Sequence, residues 1–174
     1  MRKILTFVLW FTGLPCSGKS TIARKLCDFI PNLAVLDGDE IRKWFSSQDF
    51  SREGIQENNK RVAYVSKLLF KHNVPVCVAI ISPFATDRER SKKIVNDEKF
   101  IQVYLKCSAQ ICENRDVGGM YRKARDGIIK DFIGIDNRYE IPKTPDLIVD
   151  TENSTVAESV ETIIDYLKSR KLIK

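Results

Sequence analysis

No apolar run in this sequence approaches the ~20 residues that a membrane-spanning helix needs, so a helical membrane protein is excluded. Cys-x-x-Cys pairs are missing, and the five cysteines (Cys16, Cys27, Cys77, Cys107 and Cys112) are odd in number. Neither a disulfide framework nor a zinc site is therefore expected; reduced thiols in the cytoplasm are. Internal repeats and low-complexity linkers are also absent, and residues 1–174 read as one domain, long enough for a full core. The net charge of +6 is not gathered into a Lys/Arg run or a basic stretch interleaved with aromatics. Nucleic-acid binding is not expected; the excess reads as solvated surface plus basic groups around a polyanionic substrate.

What is present is concentrated in one string. Gly13-Leu14-Pro15-Cys16-Ser17-Gly18-Lys19-Ser20 is a complete G-x-x-x-x-G-K-S phosphate loop. It follows the apolar run Ile4–Phe11 and precedes a helix-like segment from Thr21 to Ile30. A strand thus delivers the chain to a turn whose backbone N–H groups, with the N-terminus of the next helix, make an anion cradle. Lys19 reaches the β- and γ-phosphates of a nucleoside triphosphate, and the Ser20 hydroxyl is a Mg²⁺ ligand. The basic, apolar N-terminus is not a signal peptide, because cleavage would destroy this loop.

Apolar runs alternate with amphipathic stretches. Strands are expected at 4–12, 33–36, 74–81, 100–106 and 147–149, and helices at 19–30, 40–45, 55–72, 87–95, 108–114 and 155–169. Most of the strands are nearly continuous apolar runs, as when both faces are buried. The alternation predicts an α/β fold with a parallel sheet and helices on both faces, its ligands beyond the carboxyl ends of the strands. Residues 116–146 break the pattern. They are rich in glycine, basic and aromatic residues, without apolar periodicity, and the spaced Tyr121, Phe132 and Tyr139 favour an ordered lid over a linker.

Three classes of nucleotide protein share the loop. A GTPase switch needs Asn-Lys-x-Asp, and the nearest string, Asn59-Lys60-Arg61-Val62, has no Asp and falls in a predicted helix. Motor ATPases are usually larger and carry several apolar residues ending in a Walker-B acid. Here the second strand ends in Asp37-Gly38-Asp39. With the short chain and basic lid, those acids favour a small-molecule kinase. Phosphoryl transfer needs an oxygen ligand for Mg²⁺ and a carboxylate to take the acceptor's proton, and the two acids can divide these tasks. One of them can instead cap the helix that follows. A catalytically idle nucleotide-binding module and an RNA-binding protein are weaker alternatives.

Further residues carry a resemblance. Phe11–Leu14, Ser17–Ala23, Leu36-Asp37-Gly38-Asp39 with Ile41-Arg42, Phe50-Ser51, Glu57-Asn58, Ile81–Phe84 with Asp87-Arg88, Cys112-Glu113 with Arg115-Asp116, and Tyr121 with Lys123–Arg125 are similar to adenylyl-sulfate kinases. Gly134–Asp136, Tyr139-Glu140 and Pro142 complete a series covering nearly the whole chain. The resemblance implies a P-loop kinase with a five-stranded parallel sheet that moves the ATP γ-phosphate to a ribose 3′-hydroxyl with Mg²⁺. It implies ATP contacts along Gly13–Thr21, including Leu14, Pro15, Cys16, Ser17, Gly18, Lys19, Ser20 and Thr21, with Arg115 on the donor adenine. Asp39 matches the catalytic base, beside Lys19, and Asp37 a partner of the metal with Ser20. Arg42, Phe50, Asn58, Ile81 and Ser82 match acceptor positions. Lys123 matches a lid phosphate contact, and Phe132 a base-stacking ring. Ser82 also matches a serine described as a phosphoserine intermediate. Direct in-line transfer makes that unnecessary, and no base neighbours Ser82 in sequence. Relatives are often dimers.

The departures lie on the acceptor side. Gly54-Ile55 stands where the family has Asp-Arg, and that arginine contacts adenylyl sulfate. Ser46-Ser47-Gln48-Asp49 is about one residue short. Lys43-Trp44 replaces His-Gly, and Gly118 replaces a lid lysine. An aliphatic chain in place of a guanidinium deletes an anion contact. The expectation is therefore a changed acceptor, cytidine diphosphoramidate of capsule-modification pathways, ahead of plain adenylyl sulfate; compensation by Arg52 or Lys60 would favour the latter.

Overall fold

The computed structural model describes residues 5–45, 49–95, 98–116 and 118–174. Five strands, β1 (Val8–Thr12), β2 (Ala34–Asp37), β3 (Val76–Ala79), β4 (Phe100–Lys106) and β5 (Leu147–Asp150), form one sheet in the order β2-β3-β1-β4-β5. Every pairing is parallel. The central strand β1 is buried along its length, and its side chains alternate between two cores. Phe7, Leu9 and Phe11 face α1 (Lys19–Leu26) and α7 (Val156–Ser169), meeting Ile22, Leu26, Ile163 and Leu167. Val8 and Trp10 face α3 (Arg52–Lys71), meeting Val62 and Ala63. A strand covered on both faces must be apolar at every position, which is why the runs lack alternation.

The remaining helices are α2 (Gly38–Trp44), α4 (Ala85–Val95), α5 (Ala109–Asn114) and α6 (Met120–Arg125). Helix starts follow side-chain caps. The Ser51 hydroxyl accepts from Gly54 N at α3, and Thr155 with Glu158 forms a reciprocal capping box at α7.

The expected elements are all present, with shifted ends. Helix α1 stops at Leu26 rather than Ile30, because the chain tightens into turns at Cys27 and Asp28. Strand β3 stops at Ala79 because Ile81 leaves the ladder to accept from the Thr12 hydroxyl at 2.8 Å. The start expected at Ile4 and the short stretch Ser46-Ser47-Gln48 lie outside the described residues. Helix α6 was not expected. It has one buried stripe, Tyr121 and Ala124, too short for a periodic signal. Its N-terminus is held by the Asp116 carboxylate, which accepts from the backbone of Met120, Tyr121 and Arg122.

Candidate active site

The phosphate loop bridges β1 and α1. Gly18 takes φ 94, a left-handed conformation that glycine adopts without the Cβ penalty, and Cys16 takes φ 63. Lys19 is folded over its own loop. Its Nζ donates to Gly13 O at 3.0 Å, Leu14 O at 2.6 Å and the Ser17 hydroxyl at 3.3 Å. Burial lowers its ammonium pKa to about 8. The Ser20 hydroxyl donates to Asp37 Oδ2 at 2.5 Å, and the other oxygen of Asp37 accepts from Asp39 N at 3.0 Å. Asp37 thus does both things weighed from sequence: it caps α2 and faces Ser20. The adjacent Asp39 is exposed at the lip of the same cleft, and its carboxylate has no side-chain hydrogen bond among the described residues.

The cleft has a volume of about 680 Å³ and runs from the loop to α3 and the lid. It collects Pro15, Cys16, Lys19, Ser20, Asp37, Asp39, Arg42, Phe50, Asn58, Ile81, Ser82 and Phe132 of the expected residues. Arg42 is buried, and burial lowers its guanidinium pKa. It donates to Asp49 O at 2.6 Å and lies 4.3 Å over the Phe50 ring, leaving the outer face of that ring exposed. The buried Asn58 Oδ1 has no hydrogen-bond partner among the described residues. Thr21 lies on the exposed surface of the first turn of α1. Arg115 is outside the cleft, donating to Thr151 O at 2.7 Å, and the Thr151 hydroxyl donates to Ser17 O behind the loop.

Ser82 is 2% exposed, and its backbone takes φ 43. Its hydroxyl donates to Asn59 Oδ1 and accepts from Trp10 Nε1 at 3.0 Å. Trp10 reads from sequence only as part of an apolar strand and Asn59 only as part of a polar helix stretch, and nothing local joins either to Ser82. The hydroxyl is engaged in that core network, with no carboxylate or imidazole on it.

The wall expected to face the acceptor has less positive charge than the resemblance implies. Ile55 lines the cleft. Arg52 does not compensate: it makes a bidentate pair with the buried Asp87, at 2.6 and 3.2 Å, and lies 4.0 Å over Phe84. Lys60 pairs with Glu57 at 3.5 Å. Gly54 is required locally, since a Cβ there would stand 2.5 Å from Asp49 O and 2.6 Å from Asp49 Oδ2.

The base of the lid is packed on the phosphate loop. Tyr121, Phe132, Cys107 and Cys112 cluster with Leu14 and Cys16, and the Tyr121 hydroxyl donates to Pro15 O at 3.1 Å. Phe132 meets Tyr121 edge-on at 4.9 Å between ring centres. Burial and the Asp116 carboxylate raise the Cys16 thiol pKa, and burial pushes Cys112 up to about 12. Lys123 is not in the cleft. Tyr121 and Ala124 form the buried face of α6, so position 123 turns outward and is exposed. The lid cation that does line the cleft is Lys130, which sequence reasoning missed.

Comparison with known proteins bears on the whole chain. A family model described as adenylylsulphate kinase matches residues 5–150. The chain is similar to adenylyl-sulfate kinases from Staphylococcus haemolyticus, at 44% identity over 171 residues, and Staphylococcus carnosus, at 46% over 171. Each match covers 95% of this chain and 86% of the relative. Among solved structures, an APS kinase from Mycobacterium tuberculosis in complex with AMPPNP and APS superposes with a TM-score of 0.88 at 37% identity, covering 95% of this chain and 99% of that one.

Proposed function

The chain belongs to the adenylylsulphate kinase family and is an ATP-dependent kinase with a hydroxyl acceptor; from that premise we propose that it phosphorylates the ribose 3′-hydroxyl of adenylyl sulfate. The observation that carries this reading is the exposed Asp39 carboxylate, set in one cleft between the phosphate loop and the Arg42–Phe50 wall. Relatives named as adenylyl-sulfate kinases favour this acceptor over the cytidine conjugate expected from sequence.

The division of labour follows from the contacts. The backbone N–H groups where the loop enters α1, those of Gly18, Lys19 and Ser20, and the Lys19 ammonium hold the donor phosphates and meet the charge that develops on the transferred group. Asp39 accepts the proton of the 3′-hydroxyl as its oxygen attacks phosphorus in line with the departing ADP oxygen. Phe50 and Phe132 offer ring faces for the acceptor base. Ser82 holds the cleft wall through Trp10 and Asn59 and does not carry the phosphoryl group. Ser20 and Asp37 present a hydroxyl and a carboxylate side by side, hard oxygen donors that suit Mg²⁺. Bound there with ATP, the ion would neutralise charge on the β- and γ-oxygens.

One observation favours a second acceptor. Ile55 is apolar, and Arg52 and Lys60 are paired elsewhere, so an acceptor such as a cytidine-diphosphate conjugate with a less charged terminal group also suits the wall. The test is to follow ADP release with Mg-ATP and either nucleotide, and to identify the product by phosphorus NMR. A 3′-phosphorylated product from adenylyl sulfate at the higher kcat/KM is expected. Preference for the cytidine conjugate would replace the first reading with the second, and turnover of neither would remove both.

A further inference from the structure

Seven charged side chains line the cleft: Lys19, Arg42 and Lys130 against Asp37, Asp39, Asp49 and Asp131. Lys19 serves the donor loop, and Asp37 is tied to Ser20. What remains toward the acceptor is two cations and three carboxylates. A nucleotide bearing an esterified phosphate and a terminal oxoacid carries negative charge into that surplus of acids. Arg42 is already held by Asp49 O and Phe50. Lys130 has no hydrogen bond or ion pair among the described residues, and it is exposed on the cleft.

Its backbone, by contrast, is fixed on both sides. Before it, Ile128 N and Ile129 N both donate to Lys123 O at the end of α6, at 2.9 and 3.2 Å. After it, Asp131 takes φ 59 and its carbonyl accepts from Asn137 Nδ2 at 3.0 Å. Phe132 N donates to Asp136 Oδ2 at 3.0 Å, and the Phe132 ring is wedged against Tyr121. The surplus acid alone would repel an anionic ligand; a long, uncommitted cation on a turn fixed on both sides, at the edge of that cleft, supplies the opposite charge the ligand needs.

We propose that Lys130 is a specificity-determining residue: its ammonium contacts the anionic phosphate–oxoacid group of the acceptor nucleotide, a role that the sequence assigned to Lys123. This deepens the kinase reading above and rests on it.

The test uses wild type, Lys130→Gln and Lys130→Arg. Kd for adenylyl sulfate is read by calorimetry at two salt concentrations, alongside kcat and both KM values. Lys130→Gln should weaken acceptor binding and raise acceptor KM about ten- to a hundredfold, with KM for ATP unchanged within about twofold. Lys130→Arg should recover most of the loss. The salt dependence of acceptor Kd should flatten in Lys130→Gln, because one charge contact is gone. Melting temperature should not move, since the side chain is exposed. Unchanged acceptor affinity in Lys130→Gln, or KM values for ATP and acceptor rising together, would overturn the assignment. Wild type that binds adenylyl sulfate through Lys130 without turning it over would sink the kinase reading alone. Wild type that does not bind it would sink both.

Discussion

The two halves of the cleft, proposed to take the donor and the acceptor, are built in opposite ways. The donor half is one short string whose groups bond to each other: Lys19 to the loop carbonyls, Ser20 to Asp37, Asp37 to Asp39 N. The acceptor half comes from α2, α3, the end of β3 and the lid, and it holds uncommitted groups: a buried Asn58 oxygen, a bare Phe50 face, and Lys130. Charge on a triphosphate is the same in every kinase, so a local, prebonded cradle suffices. Recognising one acceptor needs unsatisfied groups that converge from several elements and are completed by the ligand.

Substitutions in the donor half should stop the reaction, and those in the acceptor half should redirect it. Lys19→Ala is expected to have the largest effect, a fall of about 10³–10⁵ in kcat, the range for a cation on a transferring phosphoryl group. Single-turnover kinetics read this, and near wild-type turnover would refute the donor assignment. Asp39→Asn keeps the shape and removes proton affinity. A loss of ~10²–10⁴ in kcat with ATP affinity retained is expected. Collapse of ATP affinity instead would move Asp39 to the donor half.

Ile55→Arg tests the acceptor half. It should raise kcat/KM for adenylyl sulfate relative to a cytidine-diphosphate conjugate by about ten- to a hundredfold, the worth of one charged hydrogen bond. No change in that ratio would mean that Ile55 does not face the acceptor's charge. Gly54→Asp should not accompany it, because the new Cβ would collide with Asp49.

A pH series probes the donor half without mutation. Free Lys19 has its pKa lowered to about 8, and bound phosphates would raise it again. Affinity for a non-hydrolysable ATP analogue should then be flat below that pH. Above it, affinity should fall by up to about tenfold per pH unit, because binding takes up a proton. Lys19→Arg stays charged and should bind with a flat profile. A flat wild-type profile to pH 9.5 would contradict the buried, lowered ammonium.

The smallest effect is expected at Cys16. Burial and Asp116 raise its thiol pKa, so alkylation at neutral pH should be slower than for a free cysteine, with ATP protecting by less than about twofold. Fast, ATP-sensitive labelling would show the loop to be more open than its contacts with Tyr121 and Asp116 imply.

The same contrast explains what could be read in the sequence. The phosphate loop, the strands and the acids after β2 were legible because each depends on neighbours in the chain: glycine conformation, apolar runs, and a carboxylate at a strand end. Arg42, Phe50, Asn58, Ile81, Ser82 and Phe132 were legible by resemblance, and the fold brings them into one cleft. That Lys130 and not Lys123 lines the cleft was not legible, since the outward turn of Lys123 depends on which face of an unforeseen six-residue helix is buried. The Trp10–Ser82–Asn59 network was hidden for a related reason: it joins positions 72 and 23 residues apart. Whether Arg52 could replace a cation at position 55 was equally undecidable until Asp87 was found beside it.

Asp49 leaning on Gly54 bears on the order in which this site could have changed. With Asp49 in contact, any side chain at position 54 meets both the carboxyl group and the backbone carbonyl of Asp49. A chain with this geometry does not accept an aspartate at 54 as a single change. Asp49 must first be drawn away from position 54. The glycine at 54 and the placement of Asp49 are therefore one steric unit, in which neither changes without the other.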